Sequence, residues 1–400
     1  MQRQYSSPVP RLTSPQTSDL VALSRAIHAD PELAYQERRA VDRIAALLER
    51  GGHDVERGVG GLETAFRAHV GPAPSRGGAG GPAVTLLAEY DALPEVGHGC
   101  GHNLIAISNV GAFLVAAAEA SRLEVGVELI GTPAEESGGG KIDLLRAGVF
   151  DRAIAVFSSH PASQGDWGVS GTGLGAVGKR VTFGGVASHA GSAPEKGRNA
   201  LNAVIRFFVG IDGWRQQLDG DARVHGVITD GGKAMNVVPA RAEAIFGLRA
   251  KTKETLDVMV GRFSEIARGA ALLTGTTVEI AEYLPYYAPV SANTRLGDVI
   301  AEELGRLGVT PARGALVTAS TDLGNVSQKV PTDWVRFPVT TTPIAGHSDA
   351  MREACVTDLA HRNALIAADA LGAAAIRVAT DRALRDSLVA GALPPRAPAL

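Results

Sequence analysis

Residues 83–130 read AVTLLAEYDALPEVGHGCGHNLIAISNVGAFLVAAAEASRLEVGVELI. Ala83–Tyr90 opens as an apolar run of strand length. Leu104–Ala120 is apolar and alanine-rich over a length that a helix fills, and Val125–Ile130 is a second short apolar run. Strand, helix, strand, with neither strand alternating polar and apolar residues, predicts parallel pairing buried on both faces.

The rhythm continues on both sides. Upstream, residues 18–50 carry helical spacing interrupted at Pro31, with Leu20, Leu23, Ile27, Val41, Ile44, Leu47 and Leu48 on one face, and Gly51-Gly52 ends it. Leu62–Val70 reads as a strand, and the Gly/Pro/Ala-rich residues 71–82 as a mobile surface loop. Downstream, Gly139–Ala147 reads as a helix stopped by Gly148, and Ala153–Ser159 as another apolar strand. The prediction is an α/β fold, a mostly parallel sheet sandwiched by helices.

The texture changes near Gly171–Gly178. Lys179–Phe183, Asn199–Leu218, Arg223–Thr229, Ala242–Arg249, Lys253–Leu272 and Thr277–Glu282 follow in the order β-α-β-β-α-β, the split βαβ of a ferredoxin-like unit. The expected organisation is a first domain over 1–177 and 291–400, interrupted by an inserted α+β domain over 178–290. The return segment offers a helix at Thr294–Leu307, a loop around Ser320–Pro331, a long closing helix from Val356 to about Leu388, and a proline-rich tail at 394–400.

Four hundred residues exceed what one core usually holds, which agrees with two domains. The net charge of −3 (39 basic minus 42 acidic residues) gives no basis for a nucleic-acid or anionic-membrane partner. No run approaches the ~18 continuous apolar residues of a spanning helix. Of the two cysteines, Cys100 lies in a His/Gly cluster and reads as a ligand, whereas Cys355 reads as a buried thiol. That usage suggests the reducing cytoplasm.

Chemistry gathers at the predicted C-terminal ends of strands, where open α/β sheets place their sites: Asp91, Glu135 and His160. Cys100 and His102 flank Gly101 in a bend, and a thiolate with an imidazole suits borderline-soft divalent ions. Glu135-Glu136 follow Pro133, where the preceding strand has ended, so both carboxylates can face one site. One can bind metal while the other takes a proton from water. His160 and His347 are candidate ligands, and Asp91 could orient a ligand imidazole. Each feature alone has a plainer reading: a turn with an inert thiol, an acidic pair at a helix start, a structural histidine. Gly171–Ala176 matches the dinucleotide pattern but precedes a strand, and Gly138–Lys141 lacks the first glycine and the Ser/Thr of a phosphate loop.

Seven stretches in order, AEYDALPEVGHGCGHN, GTPAEESGGGK, SSHP, ASHAGSAPEKGRNALNA, MNVVPARAEAIFGLRA, STDLGNVSQKVP and AGHSDA, resemble the dinuclear-metal aminoacylase, hippuricase and auxin-conjugate amidohydrolase family of metallopeptidases. Asn103 and the STDLGNVS segment look more like its p-aminobenzoyl-glutamate hydrolase and β-alanyl-dipeptidase branch. The resemblance implies a zinc-peptidase-like catalytic domain and an inserted dimerisation domain. It implies two divalent metal ions (Zn, Mn, Co or Ni) held by Cys100, His102, Glu136, His160 and His347, with Cys100 as bridge. Glu135 looks like the general base and Asp91 the orienting carboxylate. His189 resembles the histidine that reaches a partner subunit's site and steadies the oxyanion. Asn236 and Arg249 resemble groups that hold the substrate's carboxylate or orient the lid. The expected activity is hydrolysis of the amide bond of an N-acyl amino acid, dipeptide or aroyl-amino acid, by a homodimer. Hydrolytic deamination of an aromatic amine and non-catalytic metal binding are the alternatives.

Overall fold

The computed structural model of the protein describes residues 10–72 and 81–390. Most of the loop expected at 71–82, and the tail expected at 394–400, lie outside those residues. The chain divides into two compact units. The first takes residues up to Thr172, Ser291–Val317 and those from Asn325 on; the second takes Gly173–Val290 with Thr318–Gly324. The second unit thus begins before residue 178 and includes a short piece of the return segment.

The first unit opens with α1 (Ser14–Ala29) and α2 (Arg38–Arg50), separated around Pro31. Thr13 and Gln16 form a capping box at the start of α1. Then come β1 (Val55–Arg57), β2 (Phe66–Val70), β3 (Ala83–Ala88), α3 (His102–Ala118), β4 (Gly126–Gly131), α4 (Gly140–Arg146), β5 (Ala153–Ala162) and β6 (Gly168–Val169). The strand expected from Leu62 starts only at Phe66, because Ala65 N–H turns back onto the Leu62 carbonyl at 3.0 Å. Every residue of α3 from His102 to Ala116 is buried, so this helix is apolar all round rather than amphipathic.

The second unit holds β7 (Gly175–Gly184), α5 (Ala200–Arg215), β8 (Arg223–Asp230), β9 (Arg241–Ala250), α6 (Lys253–Thr274) and β10 (Thr277–Tyr287). The strands form an antiparallel sheet ordered β10-β7-β9-β8. In β9 Ala242, Ala244, Phe246 and Leu248 are buried, and they join Phe207 of α5 and Phe263 of α6 in one core. The alternate residues face the other way, the period-2 pattern of a one-sided sheet.

The first unit resumes with α7 (Thr294–Arg306), β11 (Ala312–Arg313), β12 (Thr332–Pro338), α8 (Asp349–Ala354), α9 (Asp358–Thr380) and α10 (Arg382–Ala390). Its sheet runs β1-β2-β4-β3-β5-β12-β6-β11. The central run β4-β3-β5-β12 is parallel, with antiparallel pairs toward the edges. The single closing helix expected from Val356 is two helices. Asp381 takes an extended conformation and its carboxylate accepts Leu384 N–H at 3.0 Å, which ends α9 and starts α10. By length and composition α9 could cross a membrane, yet 72% of its most apolar window is buried and it packs along α3. Since β3, β4 and β5 run the same way, the segments leaving their C-terminal ends share one end of the sheet.

Candidate metal centre

The Cys100–His102 bend depends on Gly101, which has φ +79°. A Cβ there would lie 2.6 Å from Pro161 Cγ and 2.8 Å from Cys355 Sγ, so both the conformation and the space require glycine. Cys355 is buried behind the bend as a free thiol whose pKa burial pushes up to about 12. His98 is stacked on His28 at 6.0 Å between ring centres and does not join the ligand groups.

Two triads of potential ligand atoms share the Cys100 sulfur. Cys100, His102 and His160 form one, and Cys100, Glu136 and His347 the other, each with its atoms within 4.8 Å of one another. All five residues expected as ligands therefore meet. His160 lies inside β5, not beyond its end as the sequence suggested. Its Nδ1–H donates to the Pro161 carbonyl at 2.7 Å, which leaves Nε2 3.6 Å from Cys100 Sγ. The buried Trp334 packs edge-on against the ring. His102 Nδ1 meets Asp91 Oδ1 at 2.8 Å, so its buried Nε2, without a hydrogen-bond partner, faces the carboxylates of Glu89, Glu135 and Glu136 at 3.7, 3.8 and 3.7 Å. His347 sits in the left-handed region (φ 56°), with its N–H on the Gly99 carbonyl and Nε2 3.6 Å from Glu136 Oε2.

The two adjacent glutamates converge because the backbone before them is bent. Ala134 has φ 60°, which costs a non-glycine residue about 1–3 kcal/mol. Its N–H is held at 2.9 Å by the buried Glu37 carboxylate. Asp91 Oδ2 accepts Glu136 N–H at 2.9 Å. Asp91 therefore fixes both an imidazole and the chain that carries the second triad's carboxylate.

The charges fit a cation site. Burial raises the pKa of the Cys100 thiol, and the Glu136 and Glu135 carboxylates raise it further. Burial opposes charge on His102 as well, but Asp91 outweighs it and holds that pKa up; burial also raises Asp91, yet His102 keeps it low. Burial pushes His160 down to about 4, neutral as a ligand must be. A cysteine sulfur among buried carboxylates, with the His102 Nε2 and Glu136 Oε1 atoms lacking hydrogen-bond partners, is the arrangement divalent cations complete.

Two buried groups escaped the sequence reading. Glu89 joins His102 and Glu135 in a third cluster, and its Oε1 lies 2.9 Å from the ammonium of Lys141 at the start of α4. Glu89 stands two residues before Asp91 in the segment that leaves β3. Nothing local to Lys141 marks it as fully buried. Asn103, the branch marker, donates to Ser24 Oγ and the Cys355 carbonyl and so locks the start of α3 into the core.

His189, Asn236 and Arg249 belong to the second unit. His189 Nδ1 accepts the N–H groups of Gly191 and Ser192 at 3.2 and 3.1 Å, which makes exposed Nε2–H a donor. The Asn236 carbonyl accepts Ala190 N–H beside it, and Arg249 lies near the end of β9 with a guanidinium nitrogen 3.4 Å from the Thr318 carbonyl. Among the aromatic residues, Trp334 is buried, Tyr283 lies under Arg180, and Tyr286 donates to Asp257.

Residues 174–273 match the peptidase dimerisation domain model of the M20 peptidases. The chain is 37% identical over 380 residues to the Xaa-Arg dipeptidase of Mus musculus, covering 92% of this chain and 88% of the relative. It is 30% identical over 432 residues to a p-aminobenzoyl-glutamate hydrolase polypeptide of Escherichia coli, covering 88% of each. The crystal structure of a dinuclear-metal-binding M20 peptidase from Bacillus subtilis shares the fold, with a TM-score of 0.71 at 22% identity over 92% of this chain and 99% of that one. By its sequence, its matched domain and its fold, the chain belongs to the M20 family of metallopeptidases and amidohydrolases.

Proposed function

We propose that this amidohydrolase cleaves the bond between an acyl group and an amino acid, in an N-acyl amino acid, a dipeptide or an aroyl-amino acid. The observation that carries the reading is the pair of ligand triads meeting at Cys100, with Glu135 beside them. Divalent cations held there would supply Lewis-acid polarisation of the scissile carbonyl and a water of lowered pKa. Cys100, His102 and His160 would hold one, and Cys100, Glu136 and His347 the other. The mixed thiolate, imidazole and carboxylate set suits zinc, manganese, cobalt or nickel.

Glu135 takes the proton from the attacking water and passes it to the leaving amine nitrogen. Its Oε2 lies 3.8 Å from His102 Nε2, within reach of the same reacting centre. Asp91 keeps the His102 ring in one tautomer. His189 of one subunit offers its Nε2–H to the oxyanion in its partner's site, and Asn236 and Arg249 hold a carboxylate of the substrate or orient the lid. The products are a carboxylic acid and an amino acid, released in the cytoplasm.

The working form is a homodimer through the inserted unit. Strand β8 is an edge of its sheet, and Val227 and Ile228 on it are exposed, as are Ile205 and Val209 on the adjoining α5. An open edge beside an apolar helix face supports pairing with a second copy. Sedimentation of wild type and Val209→Glu tests this: the variant should lose the dimer.

The activity is tested by metal analysis of the purified protein coupled to a screen of N-acyl amino acids, dipeptides and p-aminobenzoyl-glutamate. Turnover of at least one amide that a chelator abolishes is expected. Full metal loading with no amide cleaved, or ammonia release from aminoarenes alone, would overturn the reading.

A further inference from the structure

Arg336 stands apart from the other sheltered arginines of the first unit. Arg43, Arg67, Arg152 and Arg385 each close on a carboxylate: Asp30, Glu128, Glu128 and Glu124. Arg336 is half-buried, its Nε is fully enclosed without a hydrogen-bond partner, and no ion pair closes on it among the described residues. Burial works against its charge, and Asp166 acts on it only from beyond ion-pair distance. An arginine in that state keeps donors for a ligand, since leaving them unpaired costs free energy.

Its address is specific. On β12, Arg336 pairs with His160 of β5 on one side and with Gly168 of β6 on the other. Paired residues project from the same face, so Arg336 stands next to a residue of the first triad, about 4.8 Å away in backbone spacing. Trp334, two residues earlier on that face, already touches the His160 ring. A Cβ on Gly168 would lie 3.8 Å from Arg336 Nε, which places the guanidinium over the β6 backbone at this register.

We propose that Arg336 is an anion receptor in the catalytic unit, taking a carboxylate of the amino acid that hydrolysis releases. A planar guanidinium with free donors matches a carboxylate in bidentate geometry, where a lysine offers only a point charge. The carboxylate is either the α-carboxylate next to the scissile nitrogen or one on the side chain. The choice of substrate rests on the amidohydrolase reading; the presence of an anion site does not.

The test uses the metal-loaded full chain as wild type, Arg336→Met, Arg336→Gln and Arg336→Lys. The probes are p-aminobenzoyl-glutamate and its α- and γ-carboxamides. Arg336→Met and Arg336→Gln should lower kcat/KM for the diacid roughly 10- to 100-fold, mostly through KM. Arg336→Lys should recover part of the loss. One carboxamide should be hydrolysed equally by all four proteins, and its position identifies the bound carboxylate. An equal loss on the diacid and both carboxamides, or no loss on any, overturns the proposal. Thermal melting with glutarate reads the site without turnover. The wild-type melting temperature should rise more than that of Arg336→Met, whereas equal or absent shifts overturn it. An Arg336-dependent glutarate shift without hydrolysis of any probe would sink the substrate reading and leave the receptor standing.

Discussion

The ammonium of Lys141 lies 2.9 Å from Glu89 Oε1, and both side chains are buried beside the metal centre. The pair is an internal cation and anion that cancel.

Removing Lys141 alone strands a buried carboxylate. Lys141→Met should destabilise the fold by about 3–5 kcal/mol, and Lys141→Met combined with Glu89→Gln should recover part of that. Denaturant unfolding of the two single variants and the double variant gives the coupling directly. Additive losses would mean that the two side chains do not act as a pair.

Asp91 is predicted to act through His102 and the Glu136 backbone. Asp91→Asn should weaken metal binding roughly 10- to 100-fold, as measured by competition with a chromophoric chelator. Unchanged affinity would remove its orienting role.

Glu135→Gln should keep both metals and lose roughly 10²–10⁴-fold in kcat. Metal analysis alongside single-turnover kinetics separates the two effects. Normal turnover in this variant would reassign the base.

Glu37 gives a pH signature. Burial first, and the Asp91 charge second, push its pKa from 4.5 to about 7. A raised carboxyl pKa contributes stability that is complete below the unfolded value and is lost as pH rises through the folded one. Between about pH 4.5 and 7 the wild type should therefore give up about 3 kcal/mol at this group. Glu37→Gln keeps an acceptor for Ala134 N–H and should be more stable than wild type at pH 8 but not at pH 4.5, as read from urea midpoints. A constant difference across that range would contradict the assignment.

The sequence carries the sheet's central rhythm because β3, β4 and β5 are apolar throughout and α3 is alanine-rich. It hides β12, the strand that holds Trp334 and Arg336. That strand is bounded by Pro331 and Pro338, residues that usually mark loops, and being buried on both faces it shows no alternation. The candidate ligands could be singled out because cysteine, histidine and paired glutamates stand at bends that glycine and proline announce. Glu89 and Lys141 were not, since their pairing crosses 52 residues (141 − 89) and neither has a local signal for burial. The break at Asp381 was missed for a related reason: aspartate is tolerated inside a helix, and only its capping bond to Leu384 shows that it ends one.

The most direct measurement is titration of the metal-free protein with cobalt(II), following the thiolate-to-cobalt absorption band. The account predicts two equivalents bound per chain, with the band altered by each, because both triads contain the same sulfur. Replacement Cys100→Ser should abolish the band and weaken both sites. A band complete at one equivalent and indifferent to the second, or cobalt bound as tightly without the sulfur, would contradict it.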